Sequence, residues 1–128
     1  MKKYLSKIIA NDNEGLQMIS ACCGGAQVKV ADIKYLKKNK VFLISLVRSK
    51  IETENDDKKV SSICKFEFVD DVKSKNIKQE NLDQKLELIT IDYLKKNDIY
   101  EINLIFSNNA YITLSTEIIE VTLDDQNE

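Results

Sequence analysis

The chain has 128 residues, of which 43% are apolar, so it is long enough for one hydrophobic core without metals or disulfides. Nineteen basic and 21 acidic residues give a net charge of −2, which argues against a dedicated nucleic-acid or anionic-membrane surface. No apolar run is long enough for a signal peptide or a membrane span. We therefore predict a cytoplasmic protein of one domain, 1–128, ordered over about 5–125, with mobile segments at 50–59 and 124–128.

One short helix is predicted near the N-terminus, from Asp12 to Cys23. Asn11 and Glu14 have the spacing of a capping box, in which two side chains satisfy backbone N–H groups at the start of a helix. Gly24-Gly25 is typical of a helix C-terminus, because glycine adopts the left-handed conformation at little cost.

The rest of the chain alternates apolar and polar residues as strands with one buried face do. Turns recur about every 8 to 15 residues, which favours an antiparallel sandwich or small barrel. We therefore predict an α+β fold that is mainly β, and a barrel of the pleckstrin-homology kind is one form of it. The residues between 50 and 59 are predicted to form a charged loop, and those from 73 to 84 an exposed connection. About seven segments are predicted as strands: Tyr4–Ala10, Val28–Tyr35, Val41–Val47, Val60–Val72, Leu86–Tyr93, Tyr100–Phe106 and Ile112–Thr116.

The clearest hairpin follows the strand that ends at Phe106. A three-residue loop over residues 108–110 would pair Phe106 with Ile112, which keeps apolar side chains on one face of both strands. A two-residue loop would put the second strand's apolar residues on the wrong face. We therefore predict the longer loop, with Asn109 or Ala110 in the left-handed conformation.

The inventory of reactive side chains is small. The chain has no histidine, so a nucleophile activated by histidine is excluded. Asp70 and Asp71 are strand neighbours that point to opposite faces, and we interpret them as solvated. Cys22, Cys23 and Cys64 are an odd number, and we interpret them as small buried hydrophobic residues. We predict no catalytic residue, no cofactor and no metal.

Arg48 stands out because the other 18 basic residues are all lysines. Arginine can make a bidentate contact with a carboxylate or phosphate, which lysine cannot. Glu52 lies on the same face if the strand continues. Two roles stay open: a structural link to a carboxylate such as Asp32 or Glu117, or contact of Arg48 and Glu52 with a ligand or partner.

Three segments carry a family resemblance. Asp12 to Ala21 fits the pattern D-x-E-x-L-x-x-I-S-A, and Arg48 and Glu52 fit an N-R-F-x-W-E segment at its arginine and final glutamate. Ile112 to Glu120 fits G-G-G-x-I-x-L-x-x-E-x-I-E, with residues 108–110 in place of the glycines. Together these segments resemble the domain-of-unknown-function family 2948 of alphaproteobacteria over nearly the whole chain. The resemblance implies a single-domain cytosolic bacterial protein and supplies no reaction, because that family has no assigned activity.

These observations lead to two main hypotheses. The first is a non-catalytic binding or protein-interaction module whose strand edge or sheet face meets another protein or a second copy. The second is a small-molecule or anion binder that uses Arg48 in a pocket. An enzyme, the third reading, would need paired carboxylates or a lysine with a shifted pKa. We expect a protein partner or self-association, and no nucleic acid, membrane or metal.

Overall fold

The computed structural model describes residues 7–53, 56–78 and 80–126, except for the side chains of residues 50–53 and 56–58. Within these residues nine antiparallel strands form one sheet, and one α-helix follows the first strand. The elements are β1 Lys7–Ala10, α1 Asn13–Cys23, β2 Ala26–Leu36, β3 Val41–Thr53, β4 Asp56–Phe66, β5 Val69–Lys75, β6 Lys85–Lys96, β7 Ile99–Phe106, β8 Tyr111–Thr116 and β9 Val121–Asp125. The predicted class, mainly antiparallel β with one N-terminal helix, is confirmed.

The structure has two strands more than the sequence predicted. Phe68 has a φ of 59°, so the chain turns there and the single strand predicted over 60–72 becomes β4 and β5. The predicted acidic tail begins inside β9, whose last residue, Asp125, is buried. The predicted charged loop over 50–59 is also wrong in extent, because β3 runs to Thr53 and β4 begins at Asp56.

The order of strands in the sheet is β1-β9-β4-β3-β2-β6-β7-β8-β5, which leaves β1 and β5 at its edges. Helix α1 packs against both β1 and β6, although four strands lie between them in the sheet. Likewise, the Tyr35 hydroxyl in β2 donates to the Val69 carbonyl in β5 at 2.9 Å, although three strands separate β2 from β5. The sheet is therefore curled so strongly that each edge returns to its middle.

Helix α1 begins one residue later than the predicted capping box. Its N-cap is Asp12, whose carboxylate accepts the Gly15 N–H at 2.8 Å. A Cβ at Gly15 would lie 2.9 Å from the Ala10 Cβ, so glycine lets the helix approach β1 closely. The helix ends as predicted at the glycine pair, where Gly25 has a φ of 85°.

The hairpin between β7 and β8 has the predicted loop length and face but a different register. Its loop is residues 107–109, and the N–H of Phe106 donates to the carbonyl of Ala110 at 2.8 Å. Leu104 therefore opposes Ile112, two residues away from the predicted pairing. Side chains alternate with a period of two, so this shift leaves the same apolar face buried.

One hydrophobic core lies inside the curled sheet and under α1. It contains most of the inward residues of the long strands, together with Leu16, Ile19 and Cys23 of the helix. Cys23 and Cys64 are buried and Cys22 is half-buried, which agrees with the interpretation of the cysteines as core residues. None of the helical structure in the described ranges is long and apolar enough to cross a membrane.

Candidate functional site

The curled sheet has a gap between β2 and β5. On the side towards β6, the ladder of β2 ends at Lys29. The next two N–H groups, of Val30 and Ala31, donate to the carbonyls of Gln84 and Leu82 at 2.9 and 3.2 Å. Beyond Ala31, no described strand pairs with this side of β2, and β5 pairs only with β8. Two unpaired strand edges therefore face each other.

One end of this gap is closed by three polar contacts. The Val69 N–H donates to the Lys40 carbonyl at 2.8 Å, and the Tyr35 hydroxyl donates to the Val69 carbonyl. Lys40 Nζ lies 2.8 Å from an oxygen of Asp70, and this hydrogen bond raises the pKa of the lysine. Burial, and then the charges of Asp71 and Asp70, raise the pKa of Tyr35. The start of β5 is thus fixed to the turn between β2 and β3.

Away from this closed end, the gap opens into a cleft of about 370 Å³. Its floor is apolar and its rim is solvent-exposed at Ala31, Ser74 and Leu82. The volume lies within the range of about 300–1,000 Å³ typical of ligand pockets. The cleft is lined by Val30, Ala31, Ile33 and Tyr35 of β2, Phe42 of β3, Val72 and Ser74 of β5, Ile112 of β8, and Ile77 and Leu82 of the connection to β6.

Backbone groups of β5 also face this cleft. The N–H and C=O groups of successive residues point to opposite sides of a strand. Ala110 bonds to Phe106 of β7, so every second residue of β8 counted from Ala110 also faces β7, and the residues between them face β5. By the same alternation Thr113 of β8 bonds to its partner Lys73 of β5. The N–H and C=O groups of Val72 and Ser74 therefore point away from β8. We call this side of β5 the open edge.

Gln84, whose backbone carbonyl bonds to a residue that lines the cleft, carries an unsatisfied side-chain acceptor. The side-chain oxygen Oε1 of Gln84 is buried, and it has no hydrogen-bond partner among the described residues. The backbone carbonyl of the same residue accepts the N–H of Val30, a lining residue. A buried amide oxygen without a partner costs about 1–3 kcal/mol.

The second gap in the sheet, between β1 and β6, is filled. Leu16 and Ile19 of α1 are buried in it. Ser20 Oγ accepts the backbone N–H of Ile91 at 2.9 Å and lies 3.1 Å from the Thr90 hydroxyl. The helix thus supplies both apolar side chains and a hydrogen-bond partner for the edge of β6 that faces away from β7. In the gap between β2 and β5, no described element bonds to the outer backbone groups of Val72 and Ser74 or fills the cleft beside them.

Arg48, the residue singled out in the sequence, lies elsewhere. Its Nη2 donates to both oxygens of Asp125 at 2.9 and 3.0 Å, and its Nε lies 3.2 Å from the Ser62 hydroxyl. Ser62 Oγ donates to the same carboxylate at 2.6 Å. The bidentate contact was predicted, but the proposed carboxylates, Asp32 and Glu117, were wrong. Asp125 was missed because it was assigned to the tail.

The three residues of this cluster come from neighbouring strands, β3, β4 and β9, and all are buried. Arg48 is 6% exposed, so a ligand in solvent has little access to its guanidinium. Burial raises the pKa of the Cys23 thiol to about 12, and the charge of Arg48 opposes that rise only in part. The cluster links strands inside the fold, and contact of Arg48 with a ligand or partner stays a prediction.

The remaining predicted residues do not converge on a site. Glu52 lies in β3 at the irregularity between Ile51 and Thr53, and its side chain is outside the described residues. Asp70 and Asp71 are exposed, as predicted, and Asp70 pairs with Lys40. The cleft residues were missed because Val72, Ile77 and Leu82 are isolated apolar positions in a lysine-rich stretch. These residues are five positions apart, which matches neither the period of a helix nor that of a strand.

The fold and cleft define a small antiparallel β protein whose sheet is curled, with one gap filled by its helix and the other left open. A search of curated proteins and a search of solved structures each found no significant match. A family model does match, over residues 6–128, and its description is protein of unknown function (DUF2948). The chain belongs to this family, as its motifs suggested.

Proposed function

We propose that this protein is a non-catalytic binding module of the cytoplasm that binds a partner protein along the open edge of β5. One observation supports this: the backbone groups of Val72 and Ser74 that point away from β8 pair with no described strand, and they lie beside an apolar cleft. A strand with free N–H and C=O groups is a template for another chain, and strand addition is a recurrent mode of recognition.

The charges on β5 argue for a selective interaction. Asp71, Lys73 and Lys75 are exposed, and Asp70 pairs with Lys40 at the closed end. Charged residues on an edge strand are a common means of preventing indiscriminate pairing between sheets. The edge therefore combines backbone groups that pair with no described strand with protection against aggregation, as expected of a selective binding surface.

A proline at position 74 tests this function. Ser74→Pro removes the N–H that faces the cleft, while proline on an edge strand with its nitrogen towards solvent leaves the ladder to β8 intact. Ser74→Ala keeps the N–H and is the matched control. Tagged wild-type protein and both variants would be used to capture proteins from an extract of the host, with the captured proteins quantified by mass spectrometry.

We expect a partner that is retained by wild-type protein and by Ser74→Ala and lost with Ser74→Pro, with all three folded by circular dichroism. Light scattering on the purified proteins identifies self-association. If the partner is a second copy, the mass of wild-type protein is twice that of one chain, and the mass of Ser74→Pro is that of one chain. Equal capture by Ser74→Pro, with no change in mass, would rule out the open edge as the binding surface.

A further inference from the structure

We infer that the segment bound at the open edge is an extended peptide with large apolar side chains at alternate positions, i and i+2, which fill the cleft. This inference rests on the proposed function and specifies the chemistry of the partner. It follows from the placement of the cleft directly inside the edge that offers hydrogen bonds.

The lining residues fix the direction of the bound side chains. Val72 and Ser74 contribute both free backbone groups and cleft-lining side chains. A strand paired with them would lie in the plane of the sheet, and every second side chain would point inward. These inward side chains would meet Val30, Ile33 and Phe42 across the gap. Only an apolar side chain is stable there, because the floor offers few hydrogen-bonding groups.

The size of the cleft limits how many side chains enter. Its volume of about 370 Å³ is roughly two and a half times the 150 Å³ cavity that is known to hold a benzene molecule. Inward positions on a strand are about 6.8 Å apart. The cleft therefore has room for two side chains of the size of leucine or phenylalanine, from residues i and i+2 of the bound segment.

The filled gap on the other side of the sheet supports a peptide over a purely apolar small molecule. There α1 provides Leu16 and Ile19 for the core and the Ser20 hydroxyl for a strand N–H. The cleft at β5 has the same two requirements, an apolar body and a backbone partner. A hydrocarbon chain meets only the first requirement. An extended peptide meets both, because it carries apolar side chains and backbone N–H and C=O groups.

Two synthetic peptides and two variants test the inference. The probes are labelled nonapeptides of equal composition, one alternating leucine and threonine between terminal lysines and one with its leucines grouped. Val72→Phe fills the cleft from within, and Lys73→Phe places the same side chain on the outer face as the control. Fluorescence anisotropy measures binding by wild-type protein and each variant, and thermal unfolding confirms that both variants are folded.

We expect the alternating peptide to bind at least about tenfold more tightly than the grouped one. Val72→Phe should weaken that binding about tenfold or more, and Lys73→Phe should leave it within about twofold. No saturable binding of the alternating peptide up to about 1 mM, or equal binding of the two peptides, overturns the inference. The inference is also overturned if neither peptide binds and dodecanoate binds saturably in a way that Val72→Phe weakens.

Capture from the host extract separates this inference from the proposed function. A partner lost with Ser74→Pro but retained by Val72→Phe would mean that the edge binds and the cleft does not, so the function stands and the inference falls. A partner retained by both variants would overturn both. Loss with both variants, and retention by Lys73→Phe and Ser74→Ala, supports both.

Discussion

Arg48 of β3 and Asp125 of β9 form a bidentate ion pair across β4, the strand that lies between theirs. The Asp125 side chain is fully buried and the Arg48 side chain is 7% exposed. Breaking a buried pair leaves one charge without a partner, which typically costs about 3–5 kcal/mol. The pair therefore ties β9 to β3.

We predict that Asp125→Asn lowers the free energy of unfolding by about 3 kcal/mol, measured by urea denaturation. Arg48→Met should also lower it, since it removes the guanidinium that contacts both oxygens of the buried carboxylate. The double variant Arg48→Met/Asp125→Asn is the control, because it removes both charges with the same substitutions as the single variants. Its loss should be clearly smaller than the sum of the two single losses. Additive losses would mean that the two residues act independently.

The buried thiol of Cys23 predicts a dependence of stability on alkaline pH. Its pKa rises from 9 to about 12 in the folded protein, so above pH 9 the unfolded chain releases a proton that the folded one keeps. Stability present below pH 9 is therefore lost as the pH rises towards 12, by about 1.4 kcal/mol per pH unit for this thiol. Cys23→Ala should reduce the slope of the free energy of unfolding against pH by that amount. An unchanged slope in urea titrations between pH 9 and 10.5 would contradict the burial of the thiol.

The hydrogen bond between the Tyr35 hydroxyl and the Val69 carbonyl predicts a local effect on β5. Tyr35→Phe removes the donor, and the loss should be about 1 kcal/mol in the free energy of unfolding. Hydrogen exchange should become faster at Val69 and its neighbours and stay unchanged in β4. Lys34→Ala, on the opposite face of β2, is the control. Uniform acceleration across the sheet would show that the bond does not act on β5 in particular.

The loop between β7 and β8 holds two asparagines, Asn108 and Asn109, each with a φ of 61°. Side chains with a Cβ pay about 1–2 kcal/mol for this conformation, and asparagine pays less than most. We predict that Asn109→Ala lowers the free energy of unfolding by about 0.5–1 kcal/mol. Asn109→Gly, which removes the Cβ at this left-handed position, should raise it or leave it unchanged. Thermal unfolding measures both, and a stabilising alanine would contradict the left-handed geometry.

Local sequence patterns were sufficient for the class of the fold, the position of the helix and the buried face of the last hairpin. They were not sufficient for its register, because a shift of two residues keeps Leu104 and Ile112 on the same face. The break at Phe68 was invisible, since a phenylalanine in the left-handed conformation goes against local preference.

The sequence predicted the type of contact that Arg48 makes, but not the residue that it contacts. A single arginine among lysines correctly indicated a bidentate contact, but its partner is 77 residues away in the chain, at a position typical of a tail. The cleft could not be predicted, because it depends on the curl of the sheet, which returns β5 to β2. No local pattern specifies that return.

Hydrogen exchange of single amides in β5, followed by NMR on the isolated protein, tests the open edge most directly. We predict that the amides of Val72 and Ser74 exchange at least about 100-fold faster than that of Lys73, which faces β8. Addition of a bound segment should then protect these two amides selectively. If both amides are already as protected as Lys73 in the isolated protein, the edge is paired, and the proposed binding surface does not exist.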